Sequence, residues 1–224
     1  MKIISYDSSR VTLLFPLEEI VPLAGINNQL LIEEIRSRYE FARSPDLGLP
    51  RAELDKTGIK FENGIHKAKD EYAQIVDFSA YPDGIVINSK TTDGAESFLE
   101  DLICFLKTKH RFREFITEPK IRFISQIVVE FDSKLSKLMP KYQAISDLIN
   151  THISRIYGDI TSSKIARLEI EFEGSNKGIG SPIPRFSLEQ RVGTSFDVER
   201  YYCSAPIRTQ DHVEVLEQIE KTFA

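Results

Sequence analysis

Residues 20–40 read IVPLAGINNQLLIEEIRSRYE, and residues 138–158 read LMPKYQAISDLINTHISRIYG. Each stretch has two apolar residues, a proline, a run with helical spacing and a tyrosine near its end. Pro22 and Pro140 are 118 residues apart, and so are Tyr39 and Tyr157. Carried outward at that offset, Val11 meets Val129, Leu13 meets Phe131, Leu30 meets Leu148, Leu31 meets Ile149 and Ile35 meets Ile153. Of the 29 positions from 11 to 39, 11 are hydrophobic in both copies, where a 41% hydrophobic composition gives about 5 by chance. Towards the end of each half the offset becomes 117: Leu99 meets Leu216, Glu100 meets Glu217 and Leu102 meets Ile219. The pattern reads as an internal duplication. The alternative is two unrelated α+β units that share only a helical period.

The elements follow from local pattern. Residues 2–6 and 10–15 read as strands joined by a turn at Asp7-Ser8-Ser9. A helix is expected over 27–40, with Leu30, Leu31, Ile35 and Tyr39 near one face, broken by Pro45, Gly48 and Pro50. Asn63-Gly64 between GIKFE and IHKA predicts a hairpin. A second hairpin is expected around YPDG at 81–84. Asp93 reads as the cap of a helix running to about Lys109, with Phe98, Leu99, Leu102, Phe105 and Leu106 as its apolar stripe. The second half gives a strand in RFISQIVVEF, a helix from Pro140 to Tyr157 stopped by Gly158, and a strand in IARLEIEF. Two more strands follow in RFSLEQRV and VERYYCS, then a final helix in TQDHVEVLEQIEKTF.

The fold class is therefore α+β: internally duplicated β-α-β(3–4)-α units forming a mostly antiparallel sheet with helices on one face. Unit boundaries are expected at residues 1–115 and 116–224, with the two units able to form one pseudo-two-fold domain. This element order resembles the duplicated saddle of the TATA-box-binding protein fold, and is similar to helix-grip folds. The resemblance is one of element order only, without a residue motif of either family.

Composition narrows the function classes. The chain has 224 residues and a formal net charge of −5, which weighs against a dedicated nucleic-acid binder. MKIISYDSSR turns polar within a few residues, so no secretory signal is expected, and no window suits a membrane span. The expected location is the cytoplasm. Cys104 and Cys203 read as two buried thiols. His66, His110, His152 and His212 lack ligand spacing, so neither a metal site nor a cofactor is expected.

Two segments carry candidate binding residues. KTKHRFREFITEPKIRF, residues 107–123, offers Lys107, Lys109, Arg111, Arg113, Lys120 and Arg122 with phenylalanines interleaved. It reads as a phosphate-contacting surface, or as a helix C-terminus whose cations complement its dipole. GSNKGIGSPIPR, residues 174–185, is glycine-rich but is neither a P-loop nor a Rossmann fingerprint; Lys177 and Arg185 are its candidates for ligand contact. Arg200, Tyr201 and Tyr202 fit a ligand surface or plain strand alternation. His212 is expected to cap or to lie at the surface, and no catalytic constellation is read. The leading function is a non-enzymatic binding protein whose open sheet face and long loops recognise a protein partner or a second copy. The alternatives are nucleic-acid binding through the sheet face and residues 107–123, and a small-ligand protein or enzyme with a pocket between sheet and helices.

Overall fold

A computed structural model describes residues 1–25, 27–46, 58–68, 71–133, 140–158, 166–173, 182–195 and 198–223. Among them are eight strands: β1 (Lys2–Leu14), β2 (Ile59–Ala68), β3 (Glu71–Tyr81), β4 (Gly84–Ser89), β5 (Lys120–Glu130), β6 (Arg167–Ile170), β7 (Phe186–Gln190) and β8 (Arg200–Ala205). The five helices are α1 (Leu17–Ile20), α2 (Asn28–Arg38), α3 (Thr92–His110), α4 (Pro140–Tyr157) and α5 (Thr209–Phe223). The strands form an open sheet in the order β2-β3-β4-β1-β5-β8-β7-β6. β1 with β4, β2 with β3, β3 with β4, β6 with β7 and β7 with β8 pair antiparallel. The α+β class and antiparallel sheet are as the sequence pattern requires.

Apart from the single turn of α1, both halves run β-α-β-β-β-α. The neighbour order β2-β3-β4-β1 in the first half has its counterpart in β6-β7-β8-β5. The chain divides into two compact units. One comprises Asp7–Ser125 with Ile207–Thr209; the other comprises Met1–Tyr6, Gln126–Pro206 and Gln210–Ala224. The first is called the N-unit below and the second the C-unit.

In the N-unit, strand alternation places Val11, Leu13, Ile85, Ile87, Phe61 and Phe78 in the core. α2 adds Ile32 and Ile35, and α3 adds Phe98, Leu99, Leu102, Phe105 and Leu106. Aromatic edges knit this core: Tyr39 meets Phe98 at 4.7 Å between ring centroids, and Phe61 stacks on Phe78 at 5.5 Å. The C-unit core gathers Ile127, Val129, Phe131, Leu188, Tyr201, Cys203 and Leu216.

Four local expectations are corrected. β1 is one 13-residue strand with no turn at Asp7-Ser8-Ser9. Ser9 stays in the ladder because its hydroxyl finds partners in Lys90 O at 3.3 Å and Thr209 Oγ1 at 3.2 Å. Asn63-Gly64 is not a hairpin but lies inside β2, so three strands rather than four follow α2. Asn63 takes a left-handed φ of 56°, and residues 39–43 run beside it as a strap along the sheet edge. That strap bonds β2 through Ala42 N to Asn63 O (3.1 Å), Ile65 N to Tyr39 O (2.8 Å), and a reciprocal Arg43–Glu62 pair. The α3 cap is Thr91, whose hydroxyl accepts from Gly94 N at 3.2 Å, and Asp93 sits in the first turn. Cys104 is exposed, because it falls on the helix side opposite Phe98, Leu102 and Phe105; Cys203 is buried, and both thiols are free.

The Tyr81–Gly84 hairpin, the α2 start at Asn27 and the α4 stop at Gly158 (φ 89°) match the sequence reading. Glycine does not end the other helices. Glu40 (φ 51°) and Arg111 (φ 58°) take the left-handed conformation after α2 and α3. Phe41 N then donates back to Arg36 O at 3.0 Å, and Phe112 N to Leu106 O at 3.2 Å.

Candidate functional site

The cations of residues 107–123 are largely engaged within the N-unit. Lys107 pairs with Glu114. Lys109 Nζ lies 3.0 Å from Glu34 Oε1, and His110 Nε2 lies 2.8 Å from Glu34 Oε2. The hydrogen bond from Lys109 holds the Glu34 carboxyl below its usual range. Arg113 is a backbone clamp: Nε donates to Val21 O and Nη2 to Glu18 O, each at 2.8 Å, and its N–H reaches Ile20 O at 2.7 Å. Arg111 is exposed and terminates α3, while Lys120 and Arg122 lie on β5.

The outward sheet face of the N-unit is polar and internally bonded. Arg10 Nε donates to Asn88 Oδ1 at 2.9 Å, and Asn88 Nδ2 donates to Asp77 Oδ1 at 2.7 Å. Beside them Lys60 Nζ meets Glu62 Oε1 at 2.7 Å. On the C-unit, Arg200 pairs with Glu130 at 2.6 Å, and Arg185 pairs with Glu171 and lies 3.6 Å from Glu169. Lys177 lies outside the described residues. Tyr201 points into the core and donates to Glu199 Oε2 at 2.8 Å, whereas Tyr202 is half-buried. The alternation explains this pair.

A constellation invisible in sequence sits at the end of α2. Arg38 grips Asp101 through Nε at 3.1 Å and Nη2 at 2.9 Å, and Tyr39 Oη donates to Asp101 Oδ2 at 2.7 Å. Burial opposes the Asp101 charge, but the hydrogen bonds from Arg38 and Tyr39 outweigh it and hold the carboxyl below its usual range. Burial, and then the same carboxylate, push the Tyr39 hydroxyl up. His66 is buried beside Tyr39 and Phe98, with Nε2 3.2 Å from Ser97 Oγ. Tyr39 and Asp101 are 62 positions apart, and no local pattern links them. His212, expected to cap or to lie at the surface, is fully buried in the C-unit and lies edge-on to Phe186. Its place on the inward face of α5, four positions before Leu216, accounts for that. Among the described residues, no group of three or more His, Cys, Asp or Glu is gathered to hold a metal ion. No described helix is long and apolar enough to cross a membrane.

Two apolar features remain. In the N-unit, α1, α2, α3 and the sheet border a cavity of about 90 Å³, walled by Ile20, Ile32, Ile35, Phe61, Ile85 and Leu106 among others, with Asn28 as the one polar side chain among the described residues that line it. In the C-unit, α4 leaves its apolar face open. Ile145, Leu148, Ile149 and Ile156 are 54%, 62%, 48% and 73% exposed, on one side of the helix. By contrast, α2 buries Ile32 and Ile35. Along α5 of the same unit lies a groove of about 610 Å³, lined among the described residues by Val215, Ile219 and Gln218 and by the carboxylates of Asp211, Glu214 and Glu217.

No protein-family model matches the chain, and no curated protein matches it.

Proposed function

We propose that this chain is a binding protein rather than an enzyme, and that it associates with a second copy of itself through the C-unit. The observation that carries the reading is the open apolar stripe of α4 at Ile145, Leu148, Ile149 and Ile156. Contiguous exposed apolar surface on a helix is unfavourable in water and marks an interaction site. The same unit carries a matching surface, since the α5 groove sets apolar Val215 and Ile219 alongside the carboxylates of Asp211, Glu214 and Glu217. α4 brings Arg155 beside its stripe, so charge favours α4 of one copy against the carboxylates of α5 of the other. An isologous dimer would use each surface twice. The sheet face is the weaker docking candidate, because its charges already have partners on neighbouring strands.

The repeated element order, the mirrored strand order and the shared offsets support an internal duplication as the origin of the two units. Location in the cytoplasm fits the same reading, with no membrane partner.

Light scattering on a sizing column tests the proposal. A dimer is expected. Ile149→Glu should give a folded monomer, and Arg155→Glu should weaken the dimer until Glu214→Arg restores it. A wild-type monomer at high concentration overturns self-association. If that monomer captures another protein and Ile149→Glu abolishes capture, a different partner replaces the second copy.

A further inference from the structure

The N-unit cavity goes beyond the association reading, because it lies in the other unit and needs no second copy. Among the described residues its wall is apolar except for Asn28, the first residue of α2, whose amide is exposed at the mouth. At about 90 Å³ it exceeds the roughly 10–15 Å³ that one water occupies, yet an apolar wall offers water too few hydrogen-bond partners. It is smaller than the roughly 300 Å³ at which pockets for whole drug-sized ligands begin. The space suits a short hydrocarbon segment.

A packing gap in a core ordinarily shrinks, because neighbouring side chains and elements relax into it. Here polar ties fix the walls independently of what fills the space. Arg113 holds α1 through Val21 O and Glu18 O. Asn27 caps the start of α2 by accepting from Leu30 N at 3.1 Å, and Arg38 and Tyr39 anchor its end on Asp101. Closing the gap would require α2 to move inward and break one of these bonds. At the mouth, the Asn28 amide both donates and accepts.

We infer that the cavity between α1, α2 and the sheet of the N-unit seats the hydrocarbon end of a small amphiphile, with its polar end held beside Asn28. The shared chemistry is an unbranched alkyl chain with one polar terminus; alcohol and carboxylate termini are the two sources to separate.

The test uses the full chain with xenon, the n-alkanols from propanol to octanol, and the matching alkanoates. The readouts are methyl chemical shifts of Ile32, Ile35 and Ile85 and the thermal midpoint. Wild type should show saturable shifts with xenon and an affinity that rises with chain length until the chain outgrows the space. Ala80→Leu fills the cavity from β3 and should lower affinity roughly tenfold or more. Should that variant fail to fold, Ile35→Phe fills the space from α2. Asn28→Leu should keep xenon binding and weaken the alcohols or the carboxylates, whichever series binds the wild type better. Absence of saturable shifts in wild type overturns the inference, as does unchanged affinity in a folded filling variant. Loss of dimer formation leaves this outcome untouched, so the two readings fail separately.

Discussion

Thr92 and Thr209 cap one another. The Thr92 N–H donates to Thr209 Oγ1 at 2.9 Å, and the Thr209 N–H donates to Thr92 Oγ1 at 2.8 Å. Each residue opens a helix, so each hydroxyl satisfies a terminal N–H that has no partner within its own helix. Both side chains are buried, and Ser9 Oγ closes the cluster. The two positions are 117 apart, the offset at which Leu99 matches Leu216 in sequence. Thr92→Val keeps the shape but strands a buried N–H, so it should cost about 1–3 kcal/mol. Thr209→Val should cost a similar amount. The double variant should cost clearly less than the sum, because the first change already breaks the exchange. Urea unfolding of the four proteins measures this coupling, and strict additivity would show that the two caps act independently.

Gly64 is required by contact rather than by a turn. A Cβ there would lie 2.4 Å from the Phe41 ring, which packs against the β2 backbone. Gly64→Ala should therefore destabilise the N-unit by about 1–3 kcal/mol, as overpacking does. Trimming the ring with Phe41→Leu should cost stability alone but reduce the penalty of Gly64→Ala. A thermal-melt cycle reads this out, and an unrelieved penalty would place the strain in the backbone.

This glycine also shows where local reading stops. Asn63-Gly64 carries the sequence signal of a two-residue hairpin, and the competing demand comes from Phe41, 23 positions away in sequence. Asp7-Ser8-Ser9 misleads in the same way, since the partners of Ser9 lie at residues 90 and 209. Features written within one element were legible: the α3 stripe, the hairpin at Pro82-Asp83 and the alternation of β7 and β8. The Tyr39–Asp101–Arg38 cluster was not, because its members join only after α2 and α3 pack. The cations of residues 107–123 were legible as a group, but their engagement with Glu34, Glu114 and the carbonyls of α1 was not.

Asp101 ties two helices together, and its charge should matter. Tyr39→Phe removes a buried donor to a carboxylate and should cost about 1–3 kcal/mol at neutral pH. Because the folded carboxyl titrates below its usual range, its contribution is complete above the ordinary value of about 3.9 and disappears as pH falls through the folded value. Asp101→Asn should be less stable than wild type at neutral pH and should approach it in acid. A constant difference across that range would show that the loss is one of packing.

His66 should set the stability slope at milder acidity. It packs against both the Tyr39 and Phe98 rings, and burial lowers its proton affinity despite the pull of Asp101. The unfolded chain takes up this proton near the ordinary histidine value of about 6.5, and the folded chain does so only at lower pH. Between the two values the unfolded state holds more protons, so stability rises with pH. The contribution is therefore complete above about 6.5 and is lost as pH falls from there to the folded value. His66→Gln keeps a polar group beside Ser97 but cannot titrate. It should flatten the slope of unfolding free energy by up to about 1.4 kcal/mol per pH unit in that window. His110, His152 and His212 are unchanged in the variant and cancel in the difference. Urea midpoints of both proteins at several pH values give the two slopes directly. Equal slopes would mean that His66 titrates alike in folded and unfolded chains, which its burial against two aromatic rings argues against.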